Sequence, residues 1–141
     1  MSANEETWDR RYFSLAMEIA GWSKDSTKVG AICIAPDRRQ MVAGYNGFPR
    51  NILDTDERLA NKVEKNRLTV HAEANVVINA TVLLNGWTLY VTKAPCTDCA
   101  KLLINADLAR IVMPNPGGSW LDSQLFAISL FTEANIIVSF L

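Results

Sequence analysis

The sequence predicts an α/β layered fold in one domain, with about five strands sandwiched by four or more helices. Two observations lead there. An amphipathic stretch is followed by two short apolar runs joined by a turn. From residue 71 onward, helix-like and strand-like segments then alternate. At 141 residues the chain has the size of one ordinary domain, 1–141. A chain of that length buries about two-thirds of its unfolded surface. With 49% apolar and 21% charged residues it is globular rather than disordered. No repeat, low-complexity tract or Pro/Gly/Ser linker divides it.

The elements follow in order. Trp8, Tyr12, Leu15, Ala16, Ile19 and Ala20 recur at helical spacing, which makes residues 5–21 an amphipathic helix. Residues 29–35 form a β-rich apolar run, Pro36-Asp37-Arg38 a turn, and residues 41–45 a second run, together a hairpin. Gly44-Tyr45-Asn46-Gly47-Phe48-Pro49 breaks regular structure, and the charged residues 50–67 read as a long loop with some helix. Helices are then expected over 71–81, 97–106 and 121–134, and strands over 88–92, 110–113 and 136–140. Asp107 and Asn135 close the last two helices because both residue types tolerate a left-handed backbone.

Charge and cysteine usage restrict the function. Lysine and arginine number 14 and the acidic residues 15, so the basic excess or stripe of a polynucleotide-binding protein is missing. The one modest cluster, Lys62, Lys65 and Arg67, reads as a solvated face. A small-molecule partner is expected. No apolar run approaches 18 residues, which excludes a membrane-spanning helix, and the polar, acidic start at residues 1–6 is no secretory signal. Three cysteines, an odd number, argue against a disulfide framework and for a reducing cytoplasm.

The chemistry concentrates in two segments. Val70-His71-Ala72-Glu73-Ala74-Asn75 opens one predicted helix, and Ala94-Pro95-Cys96-Thr97-Asp98-Cys99 opens another. Cys96 and Cys99 share one face of a turn and can bite a single ion, with His71, the chain's only histidine, as a nitrogen ligand. Two thiolates and an imidazole suit zinc rather than oxygen-seeking magnesium or calcium. Helix N-termini favour the thiolate form. Three protein ligands leave one tetrahedral position open, as in catalytic sites, where zinc lowers the pKa of water to about 7. Glu73, two residues from His71, is placed to move protons without being a ligand.

Other readings of these residues exist. Cys96 and Cys99 could form a redox pair, which leaves His71 and Glu73 without a purpose. They could join His71 and Cys33 in a closed structural zinc knot, although Cys33 sits inside an apolar run where cysteines are usually small buried hydrophobes. Asp98 reads as a helix-dipole partner. Trp22, Trp87 and Trp120 read as packing residues, with Trp120 notable beside Gly117-Gly118.

His71-Ala72-Glu73 and Pro95-Cys96-Thr97-Asp98-Cys99 match the H-x-E…P-C-x-x-C signature of zinc nucleobase deaminases, with His71 standing 25 positions before Cys96. Within that superfamily the chain resembles the deoxycytidylate deaminases. The likeness covers most of its length: Ser23-Lys24-Asp25-Ser26-Thr27-Lys28-Val29-Gly30-Ala31, the loop Gly44-Tyr45-Asn46-Gly47-Phe48-Pro49-Arg50, His71 to Asn75, Leu89-Tyr90-Val91-Thr92, and Pro95 to Lys101. The resemblance implies a three-layer αβα sandwich with a mixed five-stranded sheet. It implies one catalytic Zn2+ per chain, a homo-oligomer such as a hexamer, activation by dCTP with Mg2+ and inhibition by dTTP. It implies that Asn46 binds the sugar hydroxyl and that Ser23 and Lys24 contact the phosphate. Backbone groups around Ala72, Pro95 and Cys96 would hold the base. The reaction implied is hydrolysis of dCMP to dUMP and ammonia. Alternatives are another cytosine nucleotide or nucleoside as substrate, or a zinc-binding module without activity. The chain departs from the family in lacking a proline between Asp25 and Ser26, in carrying Asn51 for glycine, in Asn66 and Leu68 for tyrosines, and in ending a helix on Ala106-Asp107 instead of Ala-Gly. Asn51 and the lost proline bear on the effector site, so weakened or altered control by dTTP is expected.

Overall fold

A computed structural model describes residues 2–141; Met1 lies outside them. Helix α1 (Ala3–Ala20) starts two residues earlier than its apolar pattern. The reason is a capping box: the Glu5 amide donates to Ser2 Oγ at 3.2 Å, and the Ser2 amide donates to the Glu5 carboxylate at 2.9 Å. Strands β1 (Gly30–Ile34) and β2 (Met41–Tyr45) form the expected hairpin, with Ala31 opposite Gly44 and Cys33 opposite Val42. The charged stretch expected as a loop holds two short helices, α2 (Asp56–Ala60) and α3 (Lys62–Leu68). Thr55 and Asn61 cap them by accepting bonds from the Arg58 and Glu64 amides. Neither helix buries a residue fully, which is why no apolar period marked them.

The remainder alternates as expected: α4 (Ala72–Asn79), β3 (Thr88–Val91), α5 (Thr97–Asn105), β4 (Arg110–Met113), α6 (Asp122–Glu133) and β5 (Ile137–Phe140). Asp107 and Asn135 do adopt left-handed backbones, with φ of 62° and 61°. The sheet order is β2-β1-β3-β4-β5. Pairing is antiparallel from β2 through β1 to β3, and parallel from β3 through β4 to β5.

Side-chain alternation along the strands separates two cores. Ala31, Cys33, Leu89, Val91, Ile111 and Met113 pack on one face, beneath α4, α5 and α6. Ile32, Ile34, Tyr90 and Val112 point to the other face and meet Ala16 and Ile19 of α1. The result is a three-layer αβα sandwich, and β1 is buried at every position because both of its faces are covered. Among the described residues no helix is long and apolar enough to cross a membrane.

One charged group lies between α1 and the sheet. Asp9, 2% exposed, accepts two bonds from the Arg110 guanidinium, at 2.9 and 2.6 Å, and one from the Tyr90 hydroxyl at 2.7 Å. Arg110 Nε also donates to Ser139 Oγ at 3.1 Å. The node joins α1 to β3, β4 and β5. Burial by itself would raise the Asp9 pKa, but the bonds from Arg110 and Tyr90 outweigh it and hold the carboxyl below its usual range. Its contribution to stability is therefore complete above the unfolded carboxylate pKa and is lost as pH falls through the lower folded value.

Arg110→Met leaves Asp9 buried without its cation and held by Tyr90 alone, so it should destabilise the fold by about 3–5 kcal/mol in urea denaturation. The double variant Asp9→Leu/Arg110→Met should recover most of that loss. A single-variant loss under about 1 kcal/mol would show that the pair is solvated and not buried in the energetic sense.

Candidate active site

The parallel strand β3 runs into the loop before α5, so that loop lies at the carboxyl edge of the sheet, where ligands bind in open α/β sheets. Because β1 is antiparallel to β3, the start of β1 and the end of β2 reach the same edge. Helix α4 arrives there too, packed on β2 and β1. Its closeness depends on Gly44: a Cβ at that position would lie 2.7 Å from the Ala72 carbonyl oxygen and 2.8 Å from the Val76 nitrogen. The N-termini of α4 and α5 thus converge.

His71 is the N-cap of α4 and Cys96 the N-cap of α5, both with extended backbones and no side-chain capping bond. Their side chains are therefore free for another partner. His71 Nδ1 lies 3.3 Å from Cys99 Sγ and 3.5 Å from Cys96 Sγ, and the three ligand atoms all fall within 4.8 Å of one another. A tetrahedral zinc site with ordinary bond lengths has N–S edges of about 3.6 Å and S–S edges of about 3.8 Å. The two N–S distances lie within a few tenths of an ångström of those edges.

Among the described residues the group has no fourth member. Cys33 is fully buried within the sheet core, and burial pushes its thiol up to about 12, so it stays a protonated hydrophobe. That placement removes the closed structural knot.

Electrostatics prepare the trio for a cation. A hydrogen bond with Cys99, then one with His71, lowers the Cys96 pKa against the opposing effect of burial. Cys99 is pushed the other way, since it shares a proton with the Cys96 thiolate and is itself buried. A bound cation would displace that shared proton. The bond with Cys96 likewise raises His71 above its ordinary value, with burial acting against it.

Glu73, in the first turn of α4, is only 4% exposed. Burial raises its carboxyl to about 7, and the neighbouring His71 acts in the lowering direction. The residue faces a cavity of about 340 Å³, which also touches His71, Ala72 and Cys96. That volume falls within the range of small-molecule sites.

The expected substrate contacts divide. Asn46 and Ala72 line the cavity. Asn46 is 5% exposed and already fastens the strand entrance, since Oδ1 accepts from the Val29 amide at 2.9 Å and Nδ2 donates to the Thr27 carbonyl at 2.8 Å. One N–H and one lone pair remain for a ligand. Pro95 is fully buried and sets the backbone before Cys96.

Ser23 and Lys24 do not line this cavity. Ser23 is buried, donating to the Asn46 carbonyl at 2.8 Å and accepting from the Asp25 amide at 3.2 Å, so its hydroxyl works inside the fold. Lys24 points into a neighbouring cavity of about 210 Å³ and pairs with Asp54 at 2.9 Å. The two cavities adjoin, sharing Asp25, Asn46 and Thr69 in their walls.

The structure adds residues that the sequence reading missed. Lys62 and Lys65 line the cavity rather than a plain solvent face, as do Lys93, Ser123 and Gln124. Ser123 and Thr97 clasp the starts of α5 and α6: Thr97 N donates to Ser123 Oγ at 2.8 Å, and Thr97 Oγ1 donates to the Ser123 carbonyl at 2.8 Å. Gln124, 4% exposed, donates to the Ala94 carbonyl at 3.1 Å and accepts from the Leu121 amide at 3.0 Å. A polar residue at a core-facing position of α6 was the available signal. Trp120 packs on Phe140 edge-to-face at 5.9 Å, and Asp98 is an exposed partner of Lys101, as expected.

Comparison with known proteins supports the fold and shows the family. The family model described as the cytidine and deoxycytidylate deaminase zinc-binding region matches residues 6–114. The deaminase in the luxG 3′ region of Aliivibrio fischeri is 32% identical over 142 residues, covering 95% of this chain and 93% of that protein. The deoxycytidylate deaminase of Mycobacterium phage D29 is 33% identical, covering 76% of this chain and 94% of its own length. The human deoxycytidylate deaminase is 29% identical over 92% of this chain and 76% of that protein. Among solved structures, the dCMP deaminase of cyanophage S-TIM5 in apo form superposes over the whole of both chains with a TM-score of 0.77 at 20% identity, a likeness of fold.

The purified protein should carry about one zinc per chain, measured by elemental analysis. Cys96→Ser and Cys99→Ser should lose it, whereas Cys33→Ser should keep it. Gln124→Leu, which frees the carbonyl two residues before Cys96, should weaken zinc binding by about 10- to 100-fold. Zinc loss in Cys33→Ser would sink the three-ligand site.

Proposed function

The chain belongs to the cytidine and deoxycytidylate deaminase family, and from that premise we propose that it hydrolyses dCMP to dUMP and ammonia. The observation that carries the proposal is Glu73: a buried carboxyl with its pKa near 7, beside a three-ligand cation site and facing a cavity of nucleotide size. A zinc-binding module without activity has no use for that carboxyl.

When bound to His71, Cys96 and Cys99, zinc supplies the Lewis acidity that makes water a nucleophile at neutral pH. The chain's own residues do the rest. Glu73 takes a proton from the attacking water and delivers it to N3 of the cytosine ring. The hydroxyl oxygen bonds to C4. Glu73 then moves the proton of that hydroxyl to the exocyclic nitrogen, the C4–N bond breaks as the C4 carbonyl forms, and ammonia leaves. A carboxyl poised near the working pH both accepts and returns a proton with little driving force lost. Ala72, in the first turn of α4, lines the cavity, and its amide has no partner within the helix, so it is available to hold the base. Asn46 offers its remaining N–H and lone pair to the sugar hydroxyl.

The substrate assignment rests on the deoxycytidylate deaminases among the relatives and on the likeness to an S-TIM5 structure described as a complex with dCMP and dUMP. The same reading takes residues 1–141 as one catalytic domain, in the cytoplasm, assembled as a homo-oligomer under dCTP and dTTP control. Asn51 has a left-handed φ of 69°, a backbone that glycine and asparagine share. The loop shape thus survives the exchange, and the added amide is what alters the response to dTTP.

Ammonia release should be fastest with dCMP in a panel that includes dCTP, deoxycytidine and cytidine. Glu73→Ala should keep its zinc and lower turnover by about 10²–10⁴-fold. Retention of full activity in that variant would remove Glu73 from the reaction.

A further inference from the structure

The charge of the cavity differs from that of the molecule. The chain as a whole carries −1, yet the cavity wall holds three lysines, Lys62, Lys65 and Lys93, against two carboxyls, Asp25 and Glu73. The three lysines are not equivalent. Lys65 lies against Asp25 at 2.9 Å and donates to Ser26 Oγ at 3.2 Å, with side chains only 11% and 8% exposed in the ion pair. Its charge is spent holding α3 to the segment before β1. Lys62, the first residue of α3, and Lys93, in the loop between β3 and α5, make no ion pair among the described residues. Two unneutralised cations on separate walls thus face one cavity.

We propose that Lys62 and Lys93 read the phosphate of a nucleoside monophosphate and set the preference for nucleotide over nucleoside; this rests on the monophosphate reading above. A phosphate monoester brings close to two negative charges at neutral pH, and two cations from different elements match it in number. Both lysines are exposed, so they attract the anion from solution and close on it by swinging flexible side chains. Lys24, the other lysine near the segment that the family uses for phosphate, is neutralised by Asp54 and opens into the adjacent cavity. Lys65 is a positioning residue, and Asp25 beside it would repel an anion brought to the same spot.

The test uses the zinc-loaded protein and the variants Lys62→Gln, Lys93→Gln, their double, and Lys24→Gln. Two measurements run in parallel: kcat/KM on dCMP and on deoxycytidine, and calorimetric Kd for dUMP and deoxyuridine, which does not depend on turnover. Each single variant should lose about 10-fold on dCMP and on dUMP, and the double roughly 100-fold. Both nucleosides should change less than about 3-fold, and the salt dependence of dCMP turnover should flatten in the double variant. Equal losses on nucleotide and nucleoside overturn the assignment, as does a dCMP-selective loss in Lys24→Gln. If the unaltered protein prefers dCMP and the lysine variants keep that preference, only the lysine assignment falls. If the unaltered protein binds dUMP no more tightly than deoxyuridine, the monophosphate reading itself falls.

Discussion

The site depends on how closely α4 can approach β2. Helices normally stand off a sheet by the depth of their side chains, but at Gly44 the strand presents none, and the backbone of α4 settles against it at Ala72 and Val76. The same intimacy occurs on the other face, where Gly30 of β1 admits the backbone of α1 at Ala16 and Ala20. A methyl group at Gly44 would push outward the turn that carries His71 and Glu73. The cysteines stand on a different helix, so any such movement would open the trio.

Convergence of two helix N-termini also settles the electrostatics. Each brings unpaired amides and a positive dipole end to one place. Thiolates are stabilised there, and Cys96 is drawn down by its partners for the same geometric reason. Glu73 is shifted the opposite way, because its burial disfavours the charged form more than its neighbours favour it. One short stretch of α4 therefore supplies a ligand at its cap and a reluctant acid two residues on, within the first turn. The second turn of the arrangement comes from α6, whose Gln124 and Ser123 pin the loop before Cys96 and the first residue of α5.

The sequence made the layered fold legible because periodicity is written wherever one face is buried. Helices α1, α4, α5 and α6 each have such a face, and strands β1, β3 and β4 stand out as short apolar runs buried almost throughout. Helices α2 and α3 do not, and only their caps, Thr55 and Asn61, announce them. The zinc trio was legible because its ligands are rare residue types at characteristic spacing. Substrate contacts were less so. Ser23 and Lys24 sit in a recognisable motif, but their partners, Asn46 and Asp54, come from distant segments. Lys62 looks like any surface lysine until α3 is placed in the wall of the cavity. Gln124 lies beyond the residues matched by the family model, and its role depends on a carbonyl 30 positions away.

The node of Asp9, Tyr90 and Arg110 has a bearing on how the chain reaches this state. Asp9 and Arg110 are 101 residues apart in sequence, so the bond between them closes most of the chain into a loop. Contacts so distant are rewarded only after their entropy has been lost, which slows folding. During synthesis α1 is made before the strands that cover its apolar stripe. It must wait for β1, and its buried aspartate waits longer still, until β4 has been made. Helix α1 is in this sense locked only after most of the sheet exists, and until then Asp9 stays hydrated.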